Sequence, residues 1–371
     1  MNDSSSAKSG LRLLSLDGGG IRGISSLVIL HAIMEKVNEG RQATKLPKAC
    51  FDLAGGTSTG GLIALMLFRL GMDTKTAIST YEKMAKKVFS PRLPHLHEWG
   101  YLGYCIGNPY LRAKALFLPS RFSDTYLKEA IHDIMAERGE RGDGGDAVKL
   151  RKPGTGRMFM CATSINHECA VLFRSLAPPP DATDDFADIT VEQAALATSA
   201  APTYLPKVEV MGEEFWDGGL LNNNPINQVW DARYDLISIS QGTPVPEPQV
   251  SCVVSIGTGR VKKPVQQSGW VALNTISTAV SYVTNTEAKH KDFCHKIGRL
   301  NARSERKICY FRFNVELKEE INLDDWQSMR TLKSITEDQL PGWNTLIEQC
   351  AHCLMGDCAE GCAHCLSHKA R

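Results

Sequence analysis

The chain has 371 residues, 43% of them apolar, enough to bury a large core in one elaborated α/β domain. Its 42 Lys and Arg are interspersed with 41 Asp and Glu for a net charge of +1, which leaves no basic field to hold nucleic acid by counterion release. The first ten residues, MNDSSSAKSG, read as a flexible polar start without the pattern of a secretory signal, and apolar runs such as Leu62 to Phe68 fall far short of the ~20 residues of a membrane span. A cytoplasmic protein is expected, peripheral to any membrane it meets, with its 12 cysteines serving as thiols or ligands rather than as a disulfide framework.

Leu11 to Leu16 is short and apolar and predicts a buried strand. Gly18-x-Gly20-x-x-Gly23 turns it into a helix with apolar residues at helical spacing and a stop near Gly40. The plan repeats with a strand over Phe51 to Ala54, a second glycine-rich turn, and a buried helix from about Thr59 to Leu70 closed by Gly71. Two successive strand-turn-helix units predict a parallel α/β sheet. A helix over about Thr74 to Phe89 leads into an irregular aromatic segment, about 90–122, and a further helix over about Ser123 to Arg138 precedes a glycine-rich loop. MFMCATS and AVLFRS read as paired strands, and Thr190-x-x-Gln193 has the form of a capping box opening a short helix of small residues. Strands near Val208 and Phe215, a helix after Pro225, the strand VSCVVSIGTG, a helix around Trp270 to Ile297 and the strand KICYFRF continue the alternation.

Gly56-Thr57-Ser58-Thr59-Gly60 is a G-x-S-x-G pattern between a predicted strand and a predicted helix, the context in which it marks a nucleophile. The turn crowds the serine backbone, so Gly56 and Gly60 must lack a Cβ, and the helix dipole favours developing negative charge. The first turn has the spacing of a dinucleotide fingerprint, which calls for an acidic residue about 20 residues on, at the end of the second strand. Glu35 and Glu39 lie near that distance but on the predicted helix, and the second strand ends in the serine turn instead. The first turn therefore reads as an oxyanion hole built from backbone N–H groups among Gly18, Gly19 and Gly20, with Arg22 to fix the turn or face an anionic headgroup. Asp217-Gly218-Gly219 offers a base; taken alone it is an ordinary Asp-Gly turn. A carboxylate near pKa ~4 is a poor base towards a serine hydroxyl, so the site must be partly desolvated. His290 and His295 follow Asp217 in the chain order of a Ser-Asp-His triad, but in a polar helical stretch that reads as surface or structural.

DGGGIRG, GGTSTGG and DGGLLNNNP, in that order, with the connecting segments ATSAAPTYLP and VSIGTG, resemble the patatin-like phospholipase family, most of all its calcium-independent phospholipase A and fungal branches, over about Leu11 to Gly259. The resemblance implies a three-layer α/β/α fold with a mainly parallel central sheet. It makes residues 11–315 a catalytic domain and 316–371 a helical, Cys-rich tail. It implies Ser58 as nucleophile, Asp217 as its partner and Gly18 to Gly20 as the oxyanion loop, supported by Arg22, Gly23, Gly56, Gly60, Gly218 and Gly219. The implied activity is lipid acyl hydrolysis of the phospholipase A or lysophospholipase type on a phospholipid or other glycerolipid, with no cofactor. No carboxylate cluster with calcium-loop spacing accompanies the serine, so hydrolysis independent of calcium is expected. Acyl transfer to an alcohol, a dinucleotide-dependent oxidoreductase and a catalytically silent binding protein are the alternatives.

Two segments stay open. The aromatic segment reads either as an interfacial lid, with Trp99, Tyr101, Tyr104 and Tyr110 among headgroups and Arg92, Arg112, Lys114 and Arg121 on lipid phosphate, or as a satellite core. The pairs Cys350/Cys353 and Cys362/Cys365 suggest zinc, yet eight residues separate them against the ~15 to 20 of a familiar ribbon. Acylation and a thiol-rich tail without a metal are the other readings.

Overall fold

A computed structural model describes residues 10–90, 122–140, 147–177, 185–237, 247–261 and 286–356. The aromatic segment with its proposed lid residues, and Cys362 and Cys365, lie outside the described residues.

The short apolar runs become the strands β1 (Leu11–Leu16), β2 (Leu53–Thr57), β3 (Met158–Ser164), β4 (Cys169–Arg174), β5 (Val208–Val210), β6 (Glu213–Asp217), β7 (Val250–Ile256), β8 (Arg260–Val261), β9 (Cys309–Phe313) and β10 (Glu316–Leu317). Eight of them form one sheet in the order β5-β6-β3-β2-β1-β7-β9, with β4 also on β3; β8 and β10 make a separate two-stranded ribbon. The centre, β3-β2-β1-β7-β9, is parallel, while β4, β5 and β6 join antiparallel. Parallel strands are covered on both faces, which is why β3 is buried at every position.

Alternation along β1 divides the core into two layers. Leu14 and Leu16 face a large cluster shared with α1 (Gly23–Asn38), and Leu13 faces the opposite cluster. The first layer also holds α2 (Thr59–Ala64), α3 (Thr74–Phe89), α4 (Asp124–Glu137) and α5 (Val191–Ser199). The second is covered by α6 (Ile226–Asp231) and α7 (Thr286–Arg303), which contribute Ile226, Val229, Trp230, Phe293 and Ile297. The result is the expected α/β/α sandwich with a mainly parallel sheet. Helix starts follow local chemistry: Asp73 accepts from Thr76 N–H at 2.8 Å, Ser123 from Thr125 N–H at 3.2 Å, and Thr190 and Gln193 close the expected capping box.

Three boundaries differ from the sequence reading. β2 continues through Gly55 and Gly56 to Thr57, because Phe159 and Val229 occupy the space where side chains at Gly55 would stand. Glycine is a poor strand former, so composition alone ends the strand too early. The helix after Ser58 is regular only to Ala64 and then widens into a π turn over Leu65–Arg69, whose Arg69 is buried and donates to the carbonyls of Leu150 and Lys149 at 2.8 and 3.0 Å. Among the described residues α7 begins at Thr286 and runs past Ile297 to Arg303.

The two last helices, α8 (Met329–Gln339) and α9 (Asn344–Met355), pack on α1 and share its core through Leu332, Ile347 and Leu354. Cys350 and Cys353 lie on the buried face of α9 in the same cluster as Cys252 of β7 and Cys309 of β9; the Cys350 thiol, then burial, holds Cys252 well above the usual thiol range against the pull of Cys353. No group of three or more His, Cys, Asp or Glu among the described residues has the arrangement to hold a metal ion. Leu332, 0% exposed, tests whether residues beyond 315 belong to the same folding unit. Leu332→Ala should lower the urea-unfolding free energy by about 2–5 kcal/mol in a single cooperative transition. A separate early transition would instead make α8 and α9 an appended tail.

Candidate active site

One edge of β3 is divided between two strands. β4 occupies the whole of the other edge, from Phe159 to Ser164. On the shared edge β2 runs parallel until Thr57 stands opposite Cys161, and β6 runs antiparallel until Asp217 stands opposite Ala162. The two strands thus meet end to end, and the residues at their tips, Ser58 and Asp217, are brought together by consecutive positions of β3. The Ser58 hydroxyl lies near enough to the Asp217 carboxylate to favour its charged form.

Ser58 leaves β2 at φ 51°, ψ −123°, a left-handed backbone that costs a residue with a Cβ of order 1–3 kcal/mol and marks a site held by its surroundings. Close packing enforces it. A Cβ on Gly56 would be driven into the Gly60 carbonyl, and one on Gly60 into the carbonyl of Leu16. The Ser58 N–H donates to Thr198 Oγ1 at 2.9 Å, and Thr198 donates onward to the Cys161 carbonyl at 2.6 Å. From Leu53 to Leu70 every residue is buried except Ser58, which is half-buried.

Asp217 is buried, 6% exposed. Burial pushes its pKa up to about 6, against the pull of the Gly219 N–H, at 2.6 Å from Oδ1, and of the Ser58 hydroxyl. Gly218 is needed because a Cβ there would strike the Cys161 carbonyl. His290 shares a 2.9 Å hydrogen bond with Tyr310 Oη, and His295 is exposed on α7.

The first glycine turn lies against the serine: a Cβ added to Gly18 would stand 3.3 Å from Ser58 Cβ. Gly18 itself leaves the set of free donors, because its N–H is held by the Asn223 carbonyl at 2.9 Å. The N–H groups of Gly19 and Gly20 have no acceptor among the described residues. The Thr59 N–H, at the first turn of α2, has no partner within its helix and was not singled out by the motif. Arg22 fixes the turn, its Nε donating to the Gly19 carbonyl at 3.4 Å. Gly23 makes room for Thr59, whose hydroxyl donates to the Gly20 carbonyl at 2.9 Å, and Tyr81 donates to the same oxygen. Glu35 and Glu39, the nearest acids for a dinucleotide ribose, are exposed on and just beyond α1.

Sequence reasoning missed the residues that hold these loops from behind. Asp17, 1% exposed, is clasped by both terminal nitrogens of Arg312 at 3.0 and 2.7 Å; Arg312 also reaches Glu287 at 2.8 Å, and Glu287 accepts from Asn314 at 2.8 Å. Burial pushes Asp17 up to about 6 while Arg312 pulls it back; for Arg312 the two carboxylates outweigh burial and raise its pKa. Burial also opposes ionisation of Glu287, but Arg312 and Asn314 outweigh it and lower its pKa. Thr258 donates to the Gly18 carbonyl at 2.8 Å. Behind Asp217, the Asn222 carbonyl accepts from Thr57 at 2.6 Å, and Lys289 Nζ donates to Leu221 O at 2.6 Å and Asn222 Oδ1 at 2.8 Å. The run of three asparagines after DGGLL was the available signal, since asparagine side chains accept locally: Asn222 Oδ1 takes Lys289, and Asn224 Oδ1 accepts the Ile226 N–H at 3.1 Å.

Arg312→Gln would leave Asp17 buried without its cation and Glu287 with only the exposed Arg260 at 3.4 Å, an expected loss of about 3–5 kcal/mol in urea unfolding at neutral pH. Asp17→Asn should cost less, because Arg312 keeps Glu287. Equal losses would show that the cluster does not discriminate between its two carboxylates.

A sequence model of the Patatin family, described as patatin-like phospholipase, matches residues 14–230. Curated relatives include Phospholipase A I of Arabidopsis thaliana, 25% identical over 83% of this chain and 25% of its own length. Calcium-independent phospholipase A2-gamma of Mus musculus is 28% identical over 85% and 36%, and Patatin-like phospholipase 1 of Plasmodium falciparum 26% identical over 90% and 48%. The chain thus spans between a quarter and a half of these relatives. A crystal structure of VipD from Legionella pneumophila aligns over 89% of this chain and 67% of its own at 14% identity and a TM-score of 0.34, too loose a likeness to carry an argument. With more than half of its length matched, and the three glycine turns set around one serine, this chain belongs to the patatin-like phospholipase family.

Proposed function

We propose that the chain is a serine lipid acyl hydrolase of the phospholipase A or lysophospholipase type, with Ser58 as nucleophile and Asp217 as base. The observation that carries this reading is the register on β3 that sets a buried carboxylate beside the one half-exposed residue of an otherwise buried strand-turn-helix. Names of relatives that include phospholipase A support an ester of a phospholipid or other glycerolipid as substrate.

Ser58 Oγ attacks the ester carbonyl as its proton passes to Asp217. The tetrahedral oxyanion takes N–H donors from Gly19, Gly20 and Thr59. Collapse expels the lysolipid alcohol, which receives the proton from Asp217 and leaves an acyl-serine. Water then attacks the acyl carbon, giving its proton to Asp217, and the second collapse releases the fatty acid as the proton returns to Ser58. Burial supplies what an exposed aspartate lacks, a pKa of about 6. The carboxylate stays ionised at neutral pH yet holds a proton better than its ordinary value allows.

The base must be ionised to accept a proton, so kcat/KM should rise about tenfold per pH unit below about 6 and level off above it. Asp217→Asn should lower ester turnover by about 10²–10⁴, whereas His290→Ala and His295→Ala keep most of it. A fluorophosphonate probe should label Ser58 in the parent and nothing in Ser58→Ala. A histidine variant as inactive as Ser58→Ala, in a folded protein, would sink the dyad.

The same carboxylate sets a stability test. Its folded pKa lies above its ordinary 3.8, so its contribution to stability is full below that value and is lost as pH rises through about 6. Relative to the parent, Asp217→Asn should therefore gain stability as pH rises through this window, read from thermal melts of both proteins. A variant that loses ground across it would place the carboxylate in a favourable charge network instead.

Gly19→Ala sets its methyl against Thr258, whose hydroxyl holds the Gly18 carbonyl. Displacing an oxyanion donor in this way should reduce kcat by about 10²–10³. Near-normal turnover in that variant would remove Gly19 from the oxyanion hole.

A further inference from the structure

Resting on the lipid hydrolase reading, we propose that the outer face of α7 is a docking surface for a lipid bilayer that carries anionic headgroups. Lys289, Lys296 and Arg303 recur at seven-residue intervals, two helical turns, and so share one face of the helix. Arg299 and Leu300 fall between them on the same face, and with Asp292, His295, Lys296 and Arg303 they line a depression of about 390 Å³. Arg299 and Arg303 are exposed, and neither they nor Lys296 has an ion-pair partner among the described residues. Lys296 lies over the ring of Trp230, 5.4 Å from its centroid, with Arg233 over the same ring at 4.2 Å.

Charge chooses the occupant. Between 289 and 307 there are seven Lys and Arg against two Asp and Glu, in a chain whose net charge is only +1, so the rest of the molecule is net acidic. An anionic plane attracts this face, which orients the protein as well as binding it. Apolar contacts sit in the same row. Of the three large apolar side chains exposed among the described residues, Leu300 is 38% exposed within the basic face, and Leu221 is 41% exposed at its upper end. Leu221 lies four residues beyond Asp217, and its carbonyl is held by Lys289. A bilayer laid along the basic row therefore reaches the turn that follows Asp217. Leu300 and Leu221 would enter the headgroup region, where the arginines meet phosphate.

The test uses the full chain carrying Ser58→Ala, so that no lipid is consumed, with vesicles of phosphatidylcholine alone or mixed equally with phosphatidylglycerol. Binding should be confined to the mixed vesicles and weaken as salt rises. Adding Arg299→Gln and Arg303→Gln should reduce the partition coefficient on the order of 30-fold. In the Ser58 background the same two changes should leave hydrolysis of a dispersed short-chain ester unaltered and slow hydrolysis of mixed vesicles. Equal binding to both vesicle types, or undiminished binding by the double variant, would overturn the proposal. So would a dimer in sedimentation that the two substitutions disperse, which would make the face an interface between copies. Failure of the lipid hydrolase reading is separate: it shows as no turnover of the dispersed ester, whatever the vesicle binding.

Discussion

The arrangement depends on one geometric constraint, the sharing of a single edge of β3 by two strands of opposite direction. β2 and β6 cannot overlap there, so their tips abut opposite Cys161 and Ala162. Whatever leaves those tips is forced into contact. The surrounding glycines follow from this, since Gly56, Gly60 and Gly218 each lie where a Cβ would meet backbone rather than a movable side chain. The constraint also explains why the tip of β2 can hold a strained serine: Thr57 and Thr198 tie the turn to Asn222 and to Cys161 on either side.

Two buried aspartates at this end of the sheet show how environment separates roles. Burial raises both Asp17 and Asp217 to about 6. Asp17 faces a buried guanidinium in a bidentate pair, which suits a fixed anchor for the glycine turn. Asp217 faces one backbone N–H and one hydroxyl, and no cation among the described residues locks its charge. A carboxylate of that kind can exchange a proton at modest cost, as the proposed mechanism requires.

The supporting residues come largely from outside the part that carries the family match, 14–230. Glu287 and Lys289 on the first turn of α7, with Arg312 and Asn314 at the end of β9, hold the glycine turn from one side and the Asp217 turn from the other. α8 and α9 complete the cover of α1. The final third of the described chain thus acts on the site through its backing rather than through its rim.

By itself the sequence determined the strand-turn-helix units, the capping box at Thr190, the placement of Ser58 on a turn between strand and helix, and the glycine positions that such a turn demands. These are local consequences of periodicity and of backbone sterics. The reach of β2 through Gly55 and Gly56 was not legible, because strand propensity says no while packing by Phe159 and Val229 says yes. Nor was the capture of the Gly18 N–H by Asn223, or the pairing of Asp17 with Arg312, 295 positions away. Only the tertiary structure decided that Asp217 would stand beside Ser58. That contact is set by the register of both strands on β3, and a register is a property of three strands together that no one of them encodes.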